Sequence, residues 1–258
     1  MIAGNWKMNG RIASSKALAM DILQGLMAEA SMQQLEWLIF PPFVHLHAVS
    51  ELLHSNLASS MKPPVRLGAQ DLSVSDDGAF TGDISAAMLV DLDCASVLIG
   101  HSERRQYHRE DDELIGKKLV KALHGGLQPI LCVGESEQER KEGRTEAVIA
   151  RQLSVLEHCP PDADCLIAYE PVWAIGTGNS ASPDDAQKVH AFIRSRLALC
   201  GLLSESIRIL YGGSVKPENA EALFSMPDID GALIGGASLQ SHQFLAIGEA
   251  ALRSKIGH

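Results

Sequence analysis

The sequence predicts an α/β protein: a parallel eight-stranded barrel of the (β/α)8 type, surrounded by helices. Three observations predict it. Short apolar runs of strand type alternate with helical patterns along the whole chain. About eight such units fit into 258 residues, the usual size of a closed barrel. Strands separated by helices also need right-handed parallel crossovers, which eight units can close into a ring. The rival, an open doubly wound sheet, normally carries Gly-x-Gly-x-x-Gly after its first strand, whereas Gly4-Asn5-Trp6-Lys7 has one glycine before the helix. No linker, low-complexity stretch or close internal repeat divides the chain, so residues 1–258 are read as a single barrel domain.

The units follow in order. Ile2 to Trp6 reads as the first strand and Ser15 to Ala30 as its helix, with Leu18, Ile22 and Leu26 among the apolar positions. Leu35 to Phe40 is the second strand, stopped by Pro41-Pro42, and Val44 to Leu53 its helix. Val65 to Ala69 is the third, leading through the polar loop Gln70 to Gly82 to a short helix at Ser85 to Asp91. Ser96 to Gly100 is the fourth, followed by a charged helix from Arg104 to Leu123. Gln128 to Val133 is the fifth, followed by a long amphipathic helix from Glu137 to Leu156. Cys165 to Tyr169 is the sixth, and its helix opens at Ser182-Pro183, where serine suits the N-cap and proline the first turn. Arg208 to Tyr211 and Ala232 to Ile234 are the last two strands, with helices at Pro217 to Phe224 and Gln240 to Ser254.

Composition narrows the partners. A formal net charge of −10 argues against a nucleic-acid surface and on average repels anions, so any phosphate site must be built from local donors. The five cysteines, at 94, 132, 159, 165 and 200, include no Cys-x-x-Cys pair and are odd in number, which suits a reduced compartment without disulfides or a zinc site. No apolar run approaches the roughly 18 residues of a membrane span and no basic leader opens the chain, so the expectation is a cytoplasmic protein.

In a barrel of this kind the active site lies at the C-terminal ends of the strands. There the chain offers Asn5 and Lys7 after the first strand, His101 after the fourth, Cys132 on the fifth, Glu170 after the sixth, and Gly212-Gly213 and Gly235-Gly236 after the last two. Glu170 stands at a strand tip because Pro171 cannot continue a ladder. Beyond it, Val172, Trp173 and Ala174 lead into Ile175-Gly176-Thr177-Gly178, whose glycines free the backbone and leave N–H groups to face an anion. That is the composition of a mobile lid beside a base.

Five stretches together, Ala3-Gly4-Asn5-Trp6-Lys7-Met8-Asn9, Gly100-His101-Ser102-Glu103-Arg104-Arg105, Ala168 to Gly178, Tyr211-Gly212-Gly213-Ser214-Val215 and Gly231 to Leu239, resemble the triosephosphate isomerase family in order and spacing. The resemblance runs from about residue 3 to about residue 250 and implies a TIM barrel. It also implies an aldose-ketose isomerase of glycolysis and gluconeogenesis, acting on dihydroxyacetone phosphate and D-glyceraldehyde 3-phosphate. Glu170 would be the base and His101 a neutral electrophile, roles for which the family itself is the standard illustration. Lys7 would stabilise the enediolate, Asn5 add a donor beside it, and Glu103 pair with the lysine or relay protons. Cys132 would pack behind the base. Gly176, Ser214, Gly235 and Gly236 would bind the phosphate through main-chain N–H groups, and residues 171–178 would form the lid. At the far hinge Asn179-Ser180-Ala181 departs from the Lys-Thr-Ala or Lys-Val-Ala common in the family.

The loop 70–82 resembles the segment that inserts into a second subunit, with Thr81 supporting the partner copy's site, and Asp71 stands where asparagine is commoner. This implies a homodimer. No metal or organic cofactor is implied, because carboxylate, imidazole and ammonium can move a proton next to a carbonyl unaided. The remaining histidines are read as surface or helix residues. Two rivals stand beside this reading: an aldolase with a Schiff base on Lys7, weakened by the glutamate at the tip of strand six, and a non-catalytic phosphosugar-binding barrel.

Overall fold

Eight runs of β-branched and aliphatic residues form the strands β1 (Ile2–Asn5), β2 (Trp37–Phe40), β3 (Val65–Ala69), β4 (Cys94–Ile99), β5 (Gln128–Val133), β6 (Leu166–Tyr169), β7 (Ile209–Tyr211) and β8 (Gly231–Ile234). They close into a barrel in chain order, each neighbouring pair parallel, with Ile2 beside both Trp37 of β2 and Ala232 of β8. The computed structural model describes residues 1–56, 62–174, 181–199 and 206–256. Around the strands lie α1 (Ile12–Ala28), α2 (Phe43–Ser55), α3 (Ala86–Asp91), α4 (Ser102–Tyr107), α5 (Asp112–His124), α6 (Glu137–Lys141), α7 (Thr145–Leu153), α8 (Pro183–Leu199), α9 (Pro217–Phe224) and α10 (Ser241–Ile256).

Alternation along the strands sorts side chains into two cores. Ala3, Leu38, Phe40, Leu98, Ile130, Cys132, Leu166, Ala168, Leu210 and Leu233 fill the barrel interior. Their neighbours Ile2, Trp37, Ile39, Val97, Ile99, Leu131, Ile167 and Ile234 pack outward against the helices. Trp37 there meets Phe244 edge to face at 5.3 Å. Inside, Phe40 lies so close to Gly68 that a Cβ on the glycine would stand 2.2 Å from the ring, so only glycine fits. The same period of two fixes what crowns the barrel: two residues beyond Ala3, Ala168, Leu210 and Leu233 come Asn5, Glu170, Gly212 and Gly235.

Two long helices of the sequence reading are each broken in two. The predicted helix from Arg104 to Leu123 is interrupted at residues 108–111, where Arg109 adopts a left-handed φ of 57° and Asp111 starts α5 afresh by accepting the Leu114 N–H at 2.9 Å. The predicted helix from Glu137 to Leu156 stops at Gly143, φ 69°; α7 then restarts at Thr145 and runs into a 3-10 turn over Ser154–His158. Apolar periodicity persisted across both breaks and concealed them. The helix predicted from Ser15 begins at Ile12, where Ser14 Oγ accepts the Arg11 N–H at 2.9 Å. The expected cap occurs at Ser182, which accepts the Asp185 N–H ahead of Pro183, and Ser85 caps α3 by accepting the Met88 N–H. Among the described residues no helix is long and apolar enough to cross a membrane.

Candidate active site

The strand ends bring Asn5, Lys7, His101, Glu170, Ser214, Gly235 and Gly236 to the wall of one cavity of ≈ 410 Å³ at the C-terminal mouth of the barrel. Glu170 follows β6 and is buried. Its Oε1 lies 2.9 Å from His101 Nε2, and its Oε2 accepts the Ser102 N–H at 2.9 Å. Glycine makes this seat possible. A Cβ on Gly134 would strike the Glu170 carbonyl, and one on Gly212 would stand 3.0 Å from Glu170 Cγ. Burial works against charge on this carboxyl, but the His101 ring, the Ser102 amide and Lys7 outweigh it and hold its pKa below the ordinary glutamate value.

His101 is the N-cap of α4, and its Nδ1 accepts the Glu103 N–H at 3.2 Å. A ring whose Nδ1 accepts carries its proton on Nε2, pointed at Glu170. Burial opposes charge on the ring; the adjacent Glu170 carboxylate favours it and, in this arrangement, raises the ring's pKa. The Glu103 amide acts against protonation, since a proton on Nδ1 would set two donors face to face.

Lys7 sits just past β1 with a left-handed φ of 50°. Its N–H donates to Asn5 Oδ1 at 2.9 Å and its ammonium to Glu103 Oε1 at 2.7 Å. Gln70 holds this turn from β3, donating to the carbonyls of Lys7 at 2.8 Å and Phe40 at 2.9 Å. Beside the lysine, at the end of the neighbouring strand β8, a Cβ at Gly235 would come within 4.0 Å of Lys7 Nζ, whereas one at Gly236 would meet nothing. Gly236 also opens a 3-10 turn, so an anion there would face main-chain N–H groups and an ammonium together. The arrangement can hold a small phosphorylated carbonyl compound with a carboxylate against one face, two donors at its oxygens and amides around its anionic end.

The family model described as triosephosphate isomerase matches residues 1–251. The chain belongs to the triosephosphate isomerase family. It is 47% identical to the triosephosphate isomerase of Hahella chejuensis over 254 residues, 98% of each chain. It is 46% identical to that of Xanthomonas axonopodis pv. citri over 255 residues, 97% of each. It is 48% identical to that of Chloroflexus aurantiacus over 252 residues, covering 96% of this chain and 97% of the other.

Glu103, in the first turn of α4, pairs with the Lys7 ammonium. Cys132 is fully buried, with its thiol pushed well up by burial and by the Glu170 charge, as a packing residue should be. Pro171, Val172, Trp173 and Ala174 follow Glu170, and the Ala174 carbonyl accepts Ser214 Oγ–H at 2.9 Å. Ile175, Gly176, Thr177, Gly178, Asn179 and Ser180 lie outside the described residues. Thr81 is exposed on its loop, as is Phe80, and Thr81 does not line the cavity of its own chain.

Sequence reasoning missed three contributors. The Ser102 amide holds Glu170, Gln70 holds the lysine turn, and buried Glu135 accepts Tyr169 Oη–H at 3.1 Å and, from the turn Val172–Ala174, Trp173 Nε1–H at 3.0 Å. Burial raises the Glu135 pKa against those two donors. A buried-side position in a strand-end glutamate was the available signal for Glu135; nothing local marked the other two. Of the remaining histidines, read as surface or helix residues, two lie buried on helices: His45 on α2 against Ser15 Oγ at 2.9 Å, and His190 on α8.

Proposed function

We propose that this chain interconverts dihydroxyacetone phosphate and D-glyceraldehyde 3-phosphate through an enediolate. The observation that carries the reading is the gathering of Glu170, His101 and Lys7 in one cavity with Ser214, Gly235 and Gly236. Glu170 removes a proton from the carbon beside the carbonyl and returns it to the neighbouring carbon, one oxygen reaching both. To do so it gives up the His101 and Ser102 hydrogen bonds of the resting arrangement. His101 Nε2–H and Lys7 then stabilise the oxygen on which negative charge grows, more strongly in the enediolate than in the neutral carbonyl. Asn5 and Glu103 keep Lys7 in place through its N–H and its ammonium.

The phosphate is bound by the main-chain N–H groups of Ser214, Gly235 and Gly236, joined by Gly176 when the lid 171–178 closes. Closure excludes water, which raises the basicity of Glu170 and suppresses loss of phosphate from the enediolate. The working form is a cytoplasmic homodimer in which loop 70–82 of one copy reaches the other; exposed Phe80 and Met8 supply apolar surface for it, and Thr81 stands at the loop tip. The test is a coupled assay of triose phosphate interconversion on the purified chain. Turnover in both directions without added cofactor is the expected result, and its absence in folded protein would refute the reading.

A further inference from the structure

Two cationic side chains line the cavity among the described residues, Lys7 and Lys216. They differ in what surrounds them. The Lys7 ammonium is already answered by Glu103 at 2.7 Å, and Glu170 adds a further negative charge beside it. Lys216 is exposed at the rim and has no ion-pair partner among the described residues. Its backbone nevertheless has a fixed place. Asn219, in the first turn of α9, accepts the Lys216 N–H at 2.8 Å and donates to the Ser214 carbonyl at 3.0 Å, clamping the segment from the proposed phosphate seat to the lysine. Pro217 then starts α9 directly behind it.

A phosphate monoester carries about −1.5 to −2 charges near neutral pH, and this chain carries −10. Without Lys216 the lining charges of Lys7 and Glu170 cancel, and Glu103 on the lysine tips the balance negative, so approach would be opposed locally as well as globally. The geometry points to Lys216 as the residue whose uncompensated charge draws the phosphate to the mouth and favours phosphorylated over uncharged ligands. It acts on capture, not on the proton transfer, because it stands on the phosphate side of the cavity, two residues beyond Ser214. This inference rests on the proposed phosphate seat.

The test compares wild type, Lys216→Gln, Lys216→Arg and a charge-matched control, Lys117→Gln, on the outer face of α5 where Lys117 pairs with Glu113. At low ionic strength Lys216→Gln should lower kcat/KM for triose phosphate roughly threefold to tenfold with kcat within about twofold, and the deficit should close as salt screens the charge. Lys216→Arg and Lys117→Gln should keep the wild-type values and salt slope. Inorganic phosphate, titrated calorimetrically, should bind Lys216→Gln more weakly by a similar factor. A wild-type salt slope in Lys216→Gln, or a loss that persists at high salt, overturns the inference. The calorimetric arm does not depend on turnover, so an inactive wild type would refute the proposed reaction while the phosphate titration still decides the role of Lys216.

Discussion

Lowering the pH below the ordinary histidine range should destabilise this fold through His190. It is fully buried on α8, its Nδ1–H donates to the Asp228 carbonyl at 3.0 Å, and among the described residues its Nε2 has no partner. The rings of Tyr169 and Tyr211 lie at centroid distances of 5.8 and 6.2 Å. Burial is the dominant influence and pushes the pKa down; Asp228 and Asp230 oppose it, Arg194 adds to it, and the result is about 4 against an ordinary 6.5. Between those values the unfolded chain binds a proton that the folded one excludes, so stability rises with pH across the window and is lost as pH falls through it. At roughly 1.4 kcal/mol per unit, the loss from this site is about 3 kcal/mol by pH 4.

Urea unfolding at fixed protein concentration and pH 7, 6, 5 and 4.5 measures it. His190→Gln should be less stable at pH 7 by about 1–3 kcal/mol, having lost a packed ring. Its stability should then fall less steeply with acid, by close to one proton, so that the two curves converge. Parallel curves would refute the argument, because they would mean that His190 takes up its proton equally in both states.

Three further outcomes follow from the geometry. Gly212→Ala places a Cβ 3.0 Å from Glu170 Cγ and should cut kcat by on the order of 10²-fold by moving the base, whereas Gly236→Ala meets no atom and should fold with an unchanged Tm but raise KM for the phosphorylated substrate. Steady-state kinetics with thermal melts separate the two, and identical effects would contradict the placement of base and phosphate. Gln70→Ala strips the donor from the Lys7 and Phe40 carbonyls and should cost about 1–3 kcal/mol of stability together with a lower kcat/KM; wild-type values in both measurements would remove Gln70 from the site. Lys7→Met should lose far more kcat/KM than Glu103→Gln, since the half-exposed glutamate only orients the ammonium; the reverse order would assign the chemistry to Glu103.

The barrel was legible because strands buried on both faces read as unbroken apolar runs. Val65–Ala69 and Gln128–Val133 have the bounds the sequence suggests, and the other strands differ by a residue or two at their ends. Helix breaks were not, since Arg109 and Gly143 interrupt an apolar period that continues on both sides. In the site, Asn5, Lys7, His101 and Glu170 could be named because strand ends converge by topology and the motifs are distinctive. Gln70, Glu135 and the Ser102 amide were hidden for a different reason. Each acts on a partner 34 or more residues away, at a distance that only the closed ring creates. His190 was hidden by its helical pattern: the charge state of a histidine depends on what faces it, and its neighbours here come from β6, β7 and the segment before β8.

The central claim is that Glu170 carries the proton between the two carbons. Turnover of dihydroxyacetone phosphate in deuterated water tests it most directly. Wild type should incorporate solvent deuterium at the carbon that receives the proton, and Glu170→Gln, which keeps the shape of the side chain but cannot accept a proton, should incorporate almost none while still binding inorganic phosphate. Deuterium incorporation by Glu170→Gln at the wild-type rate would contradict the account.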